Sequence, residues 1–88
     1  MKYIEAQKFI QENSNLIGKI NEKGFVINEL IIVPNDPKKQ AECIQLYIQT
    51  KDAKRSIEPY INEELSVWAI DTKHLIESNV LFYQEITK

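Results

Sequence analysis

The sequence is poor in the residues that carry most recognisable chemistry. Among its 88 residues are one cysteine (Cys43), one histidine (His74), one arginine and two glycines. A single cysteine excludes an intramolecular disulfide, and with it the small secreted disulfide scaffolds, so a reducing, cytoplasmic setting is expected. The glycines, Gly18 and Gly24, cannot form the phosphate-cradling loops of dinucleotide-binding or Walker-type proteins, because those loops need several glycines.

Long apolar runs and a strong charge of either sign are also lacking. No run approaches the roughly 20 apolar residues of a membrane helix, and "MKYIEAQKFIQEN" lacks the unbroken apolar core of a signal peptide. A formal net charge of -2 fits neither a DNA mimic nor a strongly basic nucleic-acid binder. With 43% hydrophobic residues, residues 1–88 are expected to form one folded domain. Heavy use of Ile, Lys and Asn is typical of an A/T-rich bacterial or phage genome.

The N-terminal half predicts a helix, a hairpin and a second helix. Apolar residues of "KYIEAQKFIQEN" share one helical stripe. Two β-rich runs then flank "NEKG", which suits a turn with Gly24 at positive φ, and the longer second run needs another neighbour for its "LIIV". Pro34 ends that run, and Asp36 before Pro37 is typical of a helix start. Residues 41–50 fit a helix or a strand by periodicity, and the cap favours the helix.

The C-terminal half predicts a short helix and further strands. Since a helix interior cannot hold Pro59, either a short helix from Asp52 stops before it, or Ser56 caps a new helix with Pro59 in its first turn. Next come a strand in "SVWAI", one or two helical turns capped by Asp71, and a strand in "VLFYQEIT". The order α-β-β-α-(α)-β-α-β predicts a single small two-layer α+β domain, with helices packed on a mixed or antiparallel sheet.

No catalytic constellation is visible in the sequence. His74 is the only imidazole, and it lies in no motif that would make it a general base. Asp71, His74 and Glu77 have helical spacing at which they could ligate a divalent ion, but a helix cap followed by a solvated face is the favoured interpretation. We therefore predict a protein that is not an enzyme and that has no catalytic residues, metal or cofactor.

Basic side chains concentrate at the two ends of the predicted second helix. They are Lys38, Lys39, Lys51, Lys54 and Arg55. If those ends folded together, they could contact phosphates while Tyr47 or Tyr60 stacked on a base. The scarcity of arginine and the interspersed Glu42, Asp52 and Glu58 argue against this use. Nucleic-acid binding is accordingly the alternative functional hypothesis.

Two predicted strands carry apolar residues on both faces, within 30–33 and within 80–83. Such a strand is either central in its sheet or covered by a partner, and an uncovered apolar patch on a small domain marks an interface. The leading prediction is a small non-enzymatic protein–protein interaction or regulatory module, which docks through a strand surface or edge and has a homodimer as one form. The interface residues assigned to it are Leu30, Ile32, Leu81 and Tyr83.

Asn28 and Glu29 stand side by side inside the same apolar run. Successive residues of a strand point to opposite faces of the sheet. The two polar side chains are therefore predicted to mark places where their faces approach solvent, and not to act as a pair.

Overall fold

The computed structural model describes residues 1–20, 24 and 26–71, together with the backbone of 82–86. Its elements have an α+β composition, as predicted. They are α1 (Tyr3–Glu12), a 3-10 turn (Ser14–Leu16), β1 (Glu29–Pro34), α2 (Pro37–Thr50), α3 (Ala53–Ile57), a second 3-10 turn (Glu58–Tyr60), β2 (Leu65–Asp71) and β3 (Phe82–Ile86). No helix of the described residues is long and apolar enough to cross a membrane.

The three strands form one antiparallel sheet in the order β1-β2-β3. Along β1, the pairing with β2 runs from Glu29 opposite Ile70 to Pro34 opposite Leu65. β3 pairs with the other side of β2. Among the strands of the described residues, β1 is therefore an edge strand, and one of its two edges faces away from the sheet.

The predicted hairpin is shorter than expected. Ile20 and Val26 form an isolated antiparallel bridge, and the Gly18 N–H donates to the Ile27 carbonyl (2.7 Å). Gly24 has the predicted positive φ, at 86°, while the turn residues 21–23 lie outside the described part. The first run forms this bridge and no strand, and the long partner that "LIIV" requires is β2.

The second helix confirms the predicted N-terminus. The Asp36 carboxylate accepts hydrogen bonds from the N–H groups of Lys38 (2.9 Å) and Lys39 (3.2 Å), and Pro37 occupies the first turn. These bonds satisfy amides that have no partner within the helix. Residues 41–50 are helical throughout, so their alternating pattern does not indicate a strand.

The third helix decides between the two interpretations of Pro59. Asp52 caps α3 by accepting from the Lys54 N–H (3.0 Å), and the helix ends at Ile57. Pro59 falls in the 3-10 turn that follows. Ser56 is thus an interior residue of α3 and caps nothing. The helical turns predicted after Asp71, the last residue of β2, lie in 72–80, outside the described residues.

The core lies on both faces of the sheet. Residues 30–34 of β1 are all buried, and every residue of β2 is buried except Trp68, which is half-buried. α1 packs against β1 and β2, whereas α2 and α3 pack against β1. The two-sided apolarity of 30–33 is therefore satisfied inside the chain by its own helices.

Candidate functional site: a groove at the edge of the sheet

A groove of about 400 Å³ lies between α1 and α3, and consecutive residues of β1 form its floor. The α1 wall is Tyr3, Gln7, Ile10 and Gln11, the floor is Glu29 to Ile32, and the α3 wall is Ala53, Lys54 and Ile57. The volume lies within the range of small-molecule and peptide pockets in proteins.

The α1 wall follows from the spacing of its residues. Tyr3, Gln7 and Ile10 recur every three or four positions, which places them on one face of the helix. The adjacent face carries Ala6 and Phe9, which are buried in the core. The groove-lining face therefore lies at the boundary between core and solvent, with Tyr3 and Ile10 half-buried and Gln7 exposed.

The strand ladder determines which backbone groups of β1 face the groove. Just after β1, the Asn35 N–H donates to the Glu64 carbonyl (2.9 Å), so the backbone of Asn35 faces β2. In an antiparallel pair, bonded and non-bonded positions alternate along the strand. Pro34, which has no N–H, thus occupies an outward position, where proline is tolerated. By the same alternation, the backbone groups of Leu30 and Ile32 point to the outer edge.

Side chains of α2 occupy the C-terminal half of this outer edge. The Gln40 Nε2 donates to the Pro34 carbonyl (3.2 Å), and the Cys43 thiol lies 3.9 Å from the Ile32 carbonyl. Both contacts agree with the alternation derived from the ladder. Leu30 lies further along the strand, where the edge forms the groove floor. Its outward backbone groups are therefore the part of the edge that a ligand in the groove would meet.

A β-bulge marks the N-terminal end of β1. Ile70 lies opposite Glu29, yet its carbonyl also accepts from the Asn28 N–H (2.9 Å). Asn28 and Glu29 therefore both lie opposite Ile70, which is the arrangement of a β-bulge. Bulges are common at sheet edges. Asn28 is exposed, whereas Glu29 is half-buried. Because a bulge interrupts the alternation of a strand, the prediction that these two polar side chains point to opposite faces stays a prediction.

The charged groups of the groove are Glu29 and Lys54. The Tyr47 hydroxyl donates a hydrogen bond to the Glu29 carboxylate, and Tyr47 is only 2% exposed. Burial, followed by the bond to Glu29 and its negative charge, raises the pKa of Tyr47. The phenol thus stays protonated and holds the carboxylate at the groove. Sequence inspection did not assign this role to Tyr47, because the contact joins residues 18 positions apart.

The predicted interface residues occupy different places. Leu30 and Ile32 come together at the floor of the groove and are 5% and 7% exposed, so they do not form an open apolar surface. The outward backbone groups of Leu30 adjoin the groove instead, whereas the Ile32 carbonyl lies beside Cys43 of α2. The backbone of Tyr83 pairs with Ile70 in the sheet, and Leu81 lies outside the described residues. For these two residues the interface stays a prediction.

The basic residues do not form one patch. They are Lys38, Lys39, Lys51, Lys54 and Arg55. The first two lie in the first turn of α2 and the others follow its last residue, so a helix of 14 residues, roughly 20 Å long, separates the groups. The Lys39 ammonium also binds the Glu63 carboxylate (2.8 Å), which raises the pKa of Lys39. The ends of α2 are therefore not brought together as phosphate binding would require.

The candidate metal ligands give no site in the described part of the chain. Asp71 is 5% exposed at the end of β2, and its carboxylate accepts from the Val26 N–H (3.1 Å). This bond attaches the segment before β1 to the sheet. His74 and Glu77 lie outside the described residues. Within those described, no three His, Cys, Asp or Glu side chains are grouped to hold a metal.

Comparison of the chain with protein-family models, with curated proteins and with solved structures finds no match.

Proposed function

We propose that this protein is a small non-enzymatic protein–protein interaction module and that the groove between α1 and α3 is its binding surface. The observation that carries the proposal is the position of an outer strand edge at the floor of an apolar groove. Unpaired edges of sheets are used in this way for binding, because their backbone donors and acceptors are ready to pair with another chain.

The lining of the groove supports a protein partner. Its walls offer Ile10 and Ile57 for apolar contact and the Gln7 amide for hydrogen bonds. Its described charges are one carboxylate, Glu29, and one ammonium, Lys54, so the groove has no excess of either sign. This suits a polypeptide of mixed composition better than a nucleic acid, whose affinity for proteins depends on several cations that contact phosphates. A reducing, cytoplasmic setting fits the buried free thiol of Cys43.

The test is selection from a library of short random peptides displayed on phage, with the purified protein as bait. Gln7→Trp places an indole over the groove, whereas Gln45→Trp makes the same change on an exposed face of α2 that does not line it. Circular dichroism and thermal unfolding establish that both variants are folded.

We expect peptides that bind the original protein and the Gln45→Trp variant alike and that bind Gln7→Trp at least about tenfold more weakly, a change of about 1.4 kcal/mol. A selection that enriches no peptide would contradict the proposal. So would enriched peptides that bind the two tryptophan variants equally, since they would use another surface.

A further inference from the structure

We propose that the occupant of the groove is an extended segment of another protein, which adds to the outer edge of β1 as a further strand and makes backbone hydrogen bonds to Leu30. This inference rests on the proposed function, since it specifies the partner of the same groove. Three considerations lead to it: the backbone groups of β1 that already have a neighbour, the backbone groups that a ligand must offer, and the recessed shape of the groove.

The outward backbone groups of β1 differ along the strand in whether a side chain of α2 lies beside them. At Pro34 and Ile32 the outward carbonyls already lie beside the Gln40 and Cys43 side chains of α2. Leu30 lines the groove, and the alternation along the strand directs its N–H and carbonyl to the outer edge. A backbone group removed from water without a partner is costly, whereas one that pairs with an incoming chain is not. A ligand that supplies an N–H and a carbonyl at strand spacing satisfies both groups of Leu30 at once.

The backbone groups of the edge favour an extended ligand over a helical one. A helix uses its backbone N–H and carbonyl groups for its own internal hydrogen bonds, whereas an extended chain has them free to pair with Leu30. An extended chain is narrower, and its side chains alternate between two directions. One set can then contact Ile10 of α1, and the other can contact Ile57 of α3.

The recessed shape argues against a second copy of this chain. Edge-to-edge pairing requires two strands to approach to about 4.7–4.9 Å. In each copy, α1 and α3 flank the outer edge of β1, where the floor residues Leu30 and Ile32 are almost fully covered. Pairing of two such edges would bring the α1 and α3 walls of one copy against those of the other. A flexible segment of a partner protein has no walls and can enter.

The experiment takes a peptide that the selection has shown to depend on the groove and replaces its residues, one at a time, by their N-methyl forms. N-methylation removes one backbone donor and leaves the side chain unchanged. In an added strand, alternate N–H groups face β1. We therefore expect affinity losses of at least about tenfold at one set of alternate positions, and little loss at the positions between them.

Amide hydrogen exchange of the full chain provides a second readout that does not depend on changes in the peptide. Binding of the unmodified peptide is expected to slow exchange at the Leu30 amide, which becomes hydrogen-bonded. Exchange at Ile31 should change little, because its N–H already faces β2. Equal slowing at both residues would indicate general stabilisation by the ligand and would overturn strand addition.

The outcomes separate the two proposals. If no peptide depends on the groove, the proposed function fails, and the inference fails with it. If groove-dependent peptides show losses every three or four residues, or no periodicity, strand addition is overturned while the binding function stands. Sedimentation that shows a dimer of the protein alone, abolished by Gln7→Trp and retained by Gln45→Trp, would replace the peptide by a second copy and would also overturn the inference.

Discussion

The two halves of the outer edge of β1 differ in what lies beside them. At the C-terminal half, the chain turns at Asn35 and Asp36, and α2 runs back along the strand, so that Gln40 and Cys43 reach the outward carbonyls. At the N-terminal half, Tyr47 of α2 contacts the Glu29 side chain, while the groove between α1 and α3 adjoins the edge at Leu30. We call these parts the closed half and the open half of the edge. Sheet edges are commonly protected against unwanted pairing, and under the proposed function the open half is where a ligand binds.

The largest expected effect concerns the core that supports both halves. Ile31 is fully buried in β1, and Ile31→Ala should lower the free energy of unfolding by about 2–5 kcal/mol, because it removes apolar contacts and leaves a cavity. Ile4→Ala, at a position 75% exposed, should change it by less than about 0.5 kcal/mol. Urea denaturation measures both. Equal effects would show that Ile31 does not belong to the common core.

The next largest loss of stability is expected at the open half of the edge, where Glu29 lies. Tyr47→Phe removes the buried donor to the Glu29 carboxylate and should lower the free energy of unfolding by about 1.5–3 kcal/mol. Tyr60→Phe is the matched control, because its hydroxyl bonds Glu42 (3.1 Å) at an exposed position. We expect the control to change stability by less than about 0.5 kcal/mol. Similar losses in both variants would remove the special role of Tyr47.

The same tyrosine predicts a dependence on alkaline pH. Its pKa in the folded chain lies above the ordinary value of 10.0, so the unfolded chain loses the phenolic proton first. The stability that this group contributes is present below pH 10 and is lost progressively as the pH rises above it. Urea denaturation between pH 8 and pH 11 should show a smaller decline for Tyr47→Phe than for the original chain. Parallel declines would contradict the burial of this phenol.

A smaller effect is expected at the cap that fixes the closed half. Asp36→Ala removes the bonds to the first amides of α2 and should cost about 1 kcal/mol of stability. Asp52→Ala removes the corresponding cap of α3, beside the open half. In native-state hydrogen exchange, Asp36→Ala should loosen α2, whereas Asp52→Ala should loosen the α3 wall. A reversed pattern would mean that the helices do not cover the halves assigned to them.

The last prediction concerns the access of a reagent to Cys43 in the closed half and involves no change in stability. Cys43 is fully buried against the Ile32 and Ser56 carbonyls, and burial raises the pKa of its thiol to about 11. Because the thiolate is the reactive form, the native thiol should react far more slowly at pH 8 with a soluble disulfide reagent than the urea-unfolded chain. Absorbance of the released thiol measures the rate. Equal rates would place Cys43 at the surface.

Local signals in the sequence predict the elements well. Asp36 and Pro37 start α2, Pro34 ends β1, and Gly24 takes its positive φ, because each depends on the backbone preference of one residue or its neighbours. The first hairpin run was predicted as a strand from its β-rich composition. In the folded chain it forms a single bridge, so a β-rich composition alone does not establish a strand.

Local sequence signals of this kind could not predict the groove. Its walls belong to helices more than 40 residues apart, and no pattern within α1 indicates that Gln7 and Lys54 line the same groove. Leu30 and Ile32 were singled out for their side chains, on the expectation of an apolar surface. In the structure those residues are buried, and the proposed contact with a partner uses the backbone of Leu30. Sequence patterns report on side chains and give little information about backbone groups at the edge of a sheet.

Native-state amide hydrogen exchange of the chain without any ligand tests most directly whether the edge is open at Leu30. Ile31 and Val33 should be protected close to the limit set by global unfolding, because their N–H groups face β2. The Leu30 amide, which faces the groove, should exchange faster by orders of magnitude through local motion. Protection of Leu30 equal to that of Ile31 would show that the edge is already paired and would contradict the binding groove.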